Sequence, residues 1–326
     1  MNERLILMTR RLFLSLALIS TAQAEWETLP SLPEPNGGAF CGAAGGRIVV
    51  VGGTNWEGGT KNWLRSVHAF DPASRKWSAL PGLSEGPAAY GVTFPQEASF
   101  QFLGGSDGKQ SVKTIATVDA TGVMLQQVPE LPSPIVLAAG GVVDASLIIA
   151  GGTDDAANVS GVSRSTHSIA ESGRKWRVRP MAEFPGKAFM SAGSAATGGE
   201  LLVFGGLNWN ANSKAIENTT ASHAFSPAKN AWRQLKPLMV ANRGLGAVAL
   251  DERHIYLAGG YVEDFTADAV IYDVKTDSYR KAKSLPYAAM VSLVKHNGFV
   301  YCLGGEDKKQ SRTDKFFRIA VAELLK

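Results

Sequence analysis

Six apolar runs in this chain end in the same way, on two consecutive glycines: VVVGG, QFLGG, LIIAGG, LVFGG, YLAGG and VYCLGG. The doublets fall at Gly52-Gly53, Gly104-Gly105, Gly151-Gly152, Gly205-Gly206, Gly259-Gly260 and Gly304-Gly305, spaced by 52, 47, 54, 54 and 45 residues. Self-similarity at a period near fifty residues dictates an array of equivalent units before any single residue is interpreted.

Each unit follows one grammar. A small-residue strand such as GAAG or AGSAAT is followed by a turn, the apolar strand ending in the doublet, a variable loop, and a strand like HAFDPASRKW. Trp77, Trp176 and Trp232 open the fourth strand, with Tyr279 in the same role and Val123-Met124 a degenerate version. Four antiparallel strands per unit, with small residues on the first, predict blades whose inner strands crowd around a central axis. The doublets fit positions of close backbone approach and positive φ. The reading is therefore an all-β, six-bladed propeller forming one domain over residues 25–326. EWETLP at 25–30 looks like a fourth strand without the preceding three, and the sixth unit ends at its third strand, KFFRIAVAEL. The N-terminal strand should complete the last blade and remove an open edge.

Residues 1–24 read as a secretory signal: Arg4, Arg10 and Arg11 precede LFLSLALIS, and Ala22-Gln23-Ala24 is the cleavage site. The apolar core is too short to span a membrane, which needs ~20 residues, so a periplasmic or secreted protein without a stable span is expected. The formal net charge is +4, and the segment with Glu3 and those three arginines carries about half of it. Nucleic acid is not implied. Cys41 and Cys302 are the two cysteines; an oxidising compartment permits a bridge between them without requiring one.

Connectivity places strands two and four of a blade in the same direction, so the loops leaving them share a face. On that face fall Thr54-Asn55-Trp56, Ser106-Asp107, Thr153 to Asp155, Asn208-Trp209, Tyr261 to Asp264, Glu306 to Arg312 and Asn242-Arg243. Asn and Arg side chains can hydrogen-bond a polyhydroxylated ligand, and Trp56 and Trp209 offer apolar ring faces. Asn55, Trp56, Asn208, Trp209, Arg243 and Tyr261 are accordingly the candidate substrate-binding residues. The five histidines mostly fall in strands or turns away from these loops, so no metal site is expected. No Gly-rich loop precedes a helix, and no G-x-S-x-G elbow is present. Acid–base chemistry without a cofactor remains.

The repeat resembles the kelch repeat over essentially the whole chain beyond residue 24. LGGEDKKQSRTD at 303–314 is similar to part of the N-acetylneuraminate epimerase family, in which Gly-Glu ends a strand and Arg-Thr-Asp follows six residues later. Glu306, Arg312, Thr313 and Asp314 match that arrangement. AYGV at 89–92 is a second likeness, although the family's neighbouring Arg is replaced by Pro87-Ala88. The blade bearing the Glu-Arg motif comes last, as in a cyclically permuted branch. The resemblance implies a cofactor-independent isomerase acting on a small sugar acid, and a monomer is expected. It makes Glu306 and Arg312 the catalytic candidates, Glu306 as acid/base and Arg312 as partner of the substrate carboxylate. The rival expectation is a non-catalytic kelch module that binds glycan or protein on the same face.

Overall fold

The computed structural model describes residues 25–326 except 130 and 174; the signal expected at 1–24 lies outside the described residues. Six four-stranded antiparallel sheets are present among them, with two additional two-stranded hairpins. Blade 1 runs outward through Phe40–Ala44, Arg47–Val51, Val67–Asp71 and Lys76–Leu80. Blades 2 to 6 begin on the inner strands Val92–Pro95, Ala139–Val143, Gly193–Thr197, Gly246–Ala249 and Met290–His296. Each inner strand touches both neighbours, and the contact of blade 6 with blade 1 closes the ring. This is the predicted six-bladed propeller.

The last blade takes its outer strand from the start of the described chain. Glu27–Thr28 pairs antiparallel with Phe316–Ala320, with Glu27 opposite Arg318. Arg318 Nε donates to Glu27 Oε2 at 2.6 Å, and Arg75 of blade 1 also binds that carboxylate. Both arginines hold Glu27 below its ordinary pKa, Arg318 chiefly. One detail departs from expectation. The strand read as KFFRIAVAEL stops at Ala320, and Val321–Leu325 is a short helix that buries Leu324.

Packing explains why the unit repeats. The buried side chains divide into six clusters, one at each blade interface. Between blades 1 and 2, for example, Phe40 and Phe102 stack with centroids 3.9 Å apart. Each fully buried side chain of this kind contributes ~1.5–3 kcal/mol. The fourth-strand aromatics stitch the rim: Trp77 donates to Pro30 O, Trp232 to Ala182 O and Tyr279 to Lys236 O, each on the preceding blade. Trp26, just before the closing strand, makes the equivalent bond to Ser284 O at 2.8 Å.

The glycine doublets are clamps between blades. In blade 1, Gly53 N donates to Ala88 O of the next blade at 2.6 Å, and a Cβ on Gly52 would lie 2.2 Å from that same oxygen. All twelve doublet glycines have positive φ. In every blade the second glycine donates to the segment feeding the following inner strand, ending with Gly305 N to Asn36 O at 2.7 Å across the closure.

Candidate functional site

The residue after each doublet pairs with the turn that feeds its own blade's inner strand. The six pairs are Thr54 with Gly37, Ser106 with Ala89, Thr153 with Val136, Leu207 with Met190, Tyr261 with Arg243, and Glu306 with Met290. All lie on the face carrying the doublet loops. Glu306 is the one acid among the residues following the doublets, and Arg243 is the one charged residue among their turn partners.

One residue further along each turn, Gly38, Tyr90, Leu137, Ser191 and Gly244 have positive φ. Their backbones form a chain around the axis: Tyr90 N donates to Gly38 O, Leu137 N to Tyr90 O, Ser191 N to Leu137 O and Gly244 N to Ser191 O, at 2.7–2.9 Å. In blade 6 the pattern gives way to a register shift between Met290 and Ser292. The turn ring is thus irregular beside Glu306, and there the charged groups gather.

Arg312 reaches into that gap. Its Nη1 lies 3.2 Å from Glu306 Oε2 and donates to Ser311 O at 2.7 Å. Its Nη2 donates to the hydroxyl of Tyr90 at 3.2 Å. The Arg312 side chain is 6% exposed, whereas that of Glu306 is 32% exposed. A guanidinium this deeply buried requires partners, yet Nε meets no acceptor among the described residues. The floor beneath it is Gly37, where a Cβ would approach Arg312 Cδ to 2.3 Å. The loop that carries Arg312 is pinned on both sides, by Thr313 N to Gly305 O and by Ser311 Oγ to Asp307 Oδ1.

Tyr90 lies over Gly38, whose Cβ would fall 2.4 Å from Tyr90 Cε1. Trp63 meets it edge-on at 5.6 Å between centroids. Lys61 Nζ stands 4.5 Å from the Tyr90 ring centroid and 4.7 Å from that of Trp63. Thr54 Oγ1 is 3.0 Å from the Tyr90 hydroxyl. Burial alone raises the phenol pKa, but Lys61, the Thr54 hydrogen bond and Arg312 outweigh it, and the net shift is below the ordinary tyrosine value.

Arg243 approaches from blade 5. Its guanidinium covers the Tyr261 ring at 4.3 Å, and Nη1 donates to Asn218 Oδ1 at 2.8 Å. Burial lowers its pKa, opposed by Tyr261 and by the charge of Glu306. Glu306, Arg312, Arg243 and Tyr261 therefore belong to one electrostatic neighbourhood.

The other four candidates are held differently. Asn55 and Trp56 belong to a hairpin, Thr54–Glu57 with Thr60–Trp63, where Asn55 Oδ1 accepts from Asn62. Trp56 Nε1 is buried and meets no acceptor among the described residues. Asn208 and Trp209 belong to the corresponding hairpin, Leu207–Asn210 with Ala215–Asn218. The Asn208 amide is buried and donates to Ala188 O at 2.8 Å, a structural bond. Among the described residues, no hydrogen bond, ion pair or ring contact joins these four to Glu306 or Arg312. Sequence reasoning passed over Tyr90, Thr54, Lys61 and Trp63 as site residues. AYGV and GGTNW contained two of them, but the hairpin that turns Lys61 and Trp63 back onto Tyr90 is a tertiary arrangement.

A cavity of about 570 Å³ also follows the axis, lined by inner-strand residues of all six blades, including Gly42, Gly140, Ser194 and Gly246. It extends to Gln96, Glu97 and Asn297 on the opposite face. Glu306, Arg312, Tyr90 and Arg243 do not line it, although Ala39 and Val291, next to the turns that hold them, do. Cys41 and Cys302 are free thiols; burial raises their pKa values to about 11 and about 12. Among the described residues, no helix is long and apolar enough to cross a membrane.

The Kelch motif matches residues 35–84, which cover blade 1 and its feeding turn. Kelch-like protein 36 of Rattus norvegicus is 22% identical over 275 residues, covering 83% of this chain and 44% of that protein. N-acetylneuraminate epimerase of Salmonella arizonae is 24% identical over 229 residues, 58% of this chain and 57% of that protein. The enzyme of the same name from Pasteurella multocida is 27% identical over 179 residues, 54% of this chain and 44% of that protein. The matches span about half the length of these relatives. The chain is a six-bladed kelch-repeat propeller with a low-identity relation to the N-acetylneuraminate epimerases.

Proposed function

We propose that this protein is a mutarotase that interconverts the anomers of N-acetylneuraminate or a related acidic sugar. The observation that carries the reading is the 3.2 Å pairing of Glu306 with a buried Arg312, on a propeller similar to proteins named N-acetylneuraminate epimerase. Anomer exchange requires removal of the anomeric hydroxyl proton and delivery of a proton to the ring oxygen as the ring C–O bond breaks, and the reverse of both when the ring closes on the other face. Glu306 is the more exposed partner and serves as the base. A substrate carboxylate competes with Glu306 for Arg312, so binding loosens the ion pair and frees the base. Arg243, close enough to feel the charge of Glu306, adds positive potential at the same place. The reaction asks for no cofactor.

The proposal includes a cyclically permuted blade order, with the Glu-Arg blade last, and a periplasmic or secreted setting that rests on residues 1–24. Two-dimensional NMR exchange between the α and β anomers tests the activity. Cross-peaks that grow with enzyme concentration support it, and an unchanged exchange rate across sialic acids and aldoses overturns it. The similarity to a kelch-like protein over 83% of the chain supports a second reading. In that reading the same face is a non-catalytic surface for glycan or protein, and an uncatalysed rate together with saturable binding would favour it.

A further inference from the structure

We propose that Tyr90 is the second proton-transfer residue of this site, protonating the ring oxygen while Glu306 takes the anomeric proton. The inference rests on the mutarotase reading and adds a residue and a division of labour to it. The cyclic hemiketal of a keto sugar acid presents two oxygens on one carbon, the anomeric hydroxyl and the ring oxygen. Arg312 likewise presents two partners from nitrogens on one carbon, Glu306 at Nη1 and the Tyr90 hydroxyl at Nη2. A carboxylate and a phenol are thereby held side by side by a planar group, matched to two oxygens that must lose and gain protons together.

Tyr90 is fixed more firmly than a surface tyrosine. Its φ of 67° is costly for a bulky residue, and its ring is confined by Gly38 and Trp63. The charged groups facing it are Lys61 from the blade 1 hairpin and Arg312 from blade 6, with Glu306 beyond Arg312. Two cations against one hydroxyl favour the phenolate that forms when the proton leaves, in keeping with the lowered phenol pKa.

The step balances without an outside reactant. Glu306 accepts the anomeric proton as the C=O forms. The ring C–O bond breaks, its electron pair stays on the ring oxygen, and Tyr90 O–H protonates that oxygen, leaving a phenolate. Reclosure on the opposite face of the carbonyl returns both protons.

The test is the pH dependence of anomer exchange in wild type, Tyr90→Phe and Glu306→Gln, with N-acetylneuraminate as substrate. Phenylalanine keeps the ring and its packing and removes the hydroxyl alone. The expected result is a loss of about 10²-fold or more in kcat for Tyr90→Phe, little change in KM, and disappearance of the alkaline limb of the profile. Incorporation of a fluorinated tyrosine at position 90 should move the alkaline limb to lower pH, a readout that a purely structural role would leave in place. Tyr90→Phe within threefold of wild type, with the alkaline limb intact, overturns the proposal and leaves the mutarotase reading standing. Wild-type protein at the uncatalysed rate overturns both.

Discussion

Gly37 forms the floor beneath Arg312: a methyl group on Gly37 would sit 2.3 Å from Cδ and 2.6 Å from Nε of that side chain. Gly37 does not have the positive φ of its neighbour Gly38, so alanine meets no left-handed backbone strain and acts chiefly through the Arg312 side chain. Gly37→Ala should displace Arg312 from Glu306 and Tyr90 and lower anomer exchange by up to ~10²-fold. Circular dichroism and exchange NMR on the same preparation check that activity falls while the fold is retained.

Glu306→Gln keeps the shape of the side chain and removes its basicity. Exchange should slow by about 10²–10⁴-fold, with substrate binding by calorimetry preserved or strengthened because Arg312 no longer has an anionic competitor. An unchanged rate in folded protein would remove Glu306 from the chemistry.

Arg312→Lys preserves charge but not the fork that holds three partners. One ammonium cannot face Glu306, Tyr90 and Ser311 O from the guanidinium's angles. Each charge-assisted bond lost should cost about 1.5–3 kcal/mol, read as a lower denaturation midpoint, together with a raised KM for the acidic sugar.

Trp26→Ala tests the closure. The indole is 8% exposed and donates to Ser284 O across the interface of blades 5 and 6. The substitution should cost about 3–5 kcal/mol, measured by chemical denaturation. Among the outer-rim aromatics, Trp77→Ala is the matched comparison, since its bond to Pro30 O secures the other side of the closing blade.

His167 and His223 predict acid sensitivity. Burial lowers both pKa values, and Nδ1 of each lacks a partner among the described residues. The unfolded chain, with histidines near 6.5, then binds more protons than the native state. Stability attributable to these residues is complete above about pH 6.5 and is lost as the pH falls through that value toward the lower folded pKa values. Denaturant midpoints from pH 7.5 to 5 should decline, and the decline should flatten in a His167→Asn, His223→Asn double variant.

The six strand endings made the propeller legible, because a doublet of positive-φ glycines at a fifty-residue period has few other uses, and EWETLP announced a closing strand. Glu306 and Arg312 were legible as a local motif, six residues apart. Tyr90 was not, because its bond to Arg312 joins residues 222 positions apart and exists only through ring closure. The hydrogen bond from the Asn208 amide to Ala188 O was not legible either, since it joins the hairpin to a turn 20 residues earlier. The segment following Gly53 reads as loop, yet Gly58 and Gly59, both at positive φ, fold it into a hairpin that delivers Lys61 and Trp63.

The pairing of Glu27 with Arg318 bridges 291 residues, which gives it a meaning in time as well as in space. Blades 1 to 5 are built from contiguous chain and can collapse as they emerge. Blade 6 must wait for residues from opposite ends of the described chain to find one another. Bringing such distant segments together is the slow part of a fold dominated by non-local contacts. Until it happens, the Glu306 strand has an unpaired outer neighbour and Arg312 lacks the blade 1 floor that positions it. Catalytic competence should therefore appear with the slowest refolding phase, after most of the β-structure has already formed.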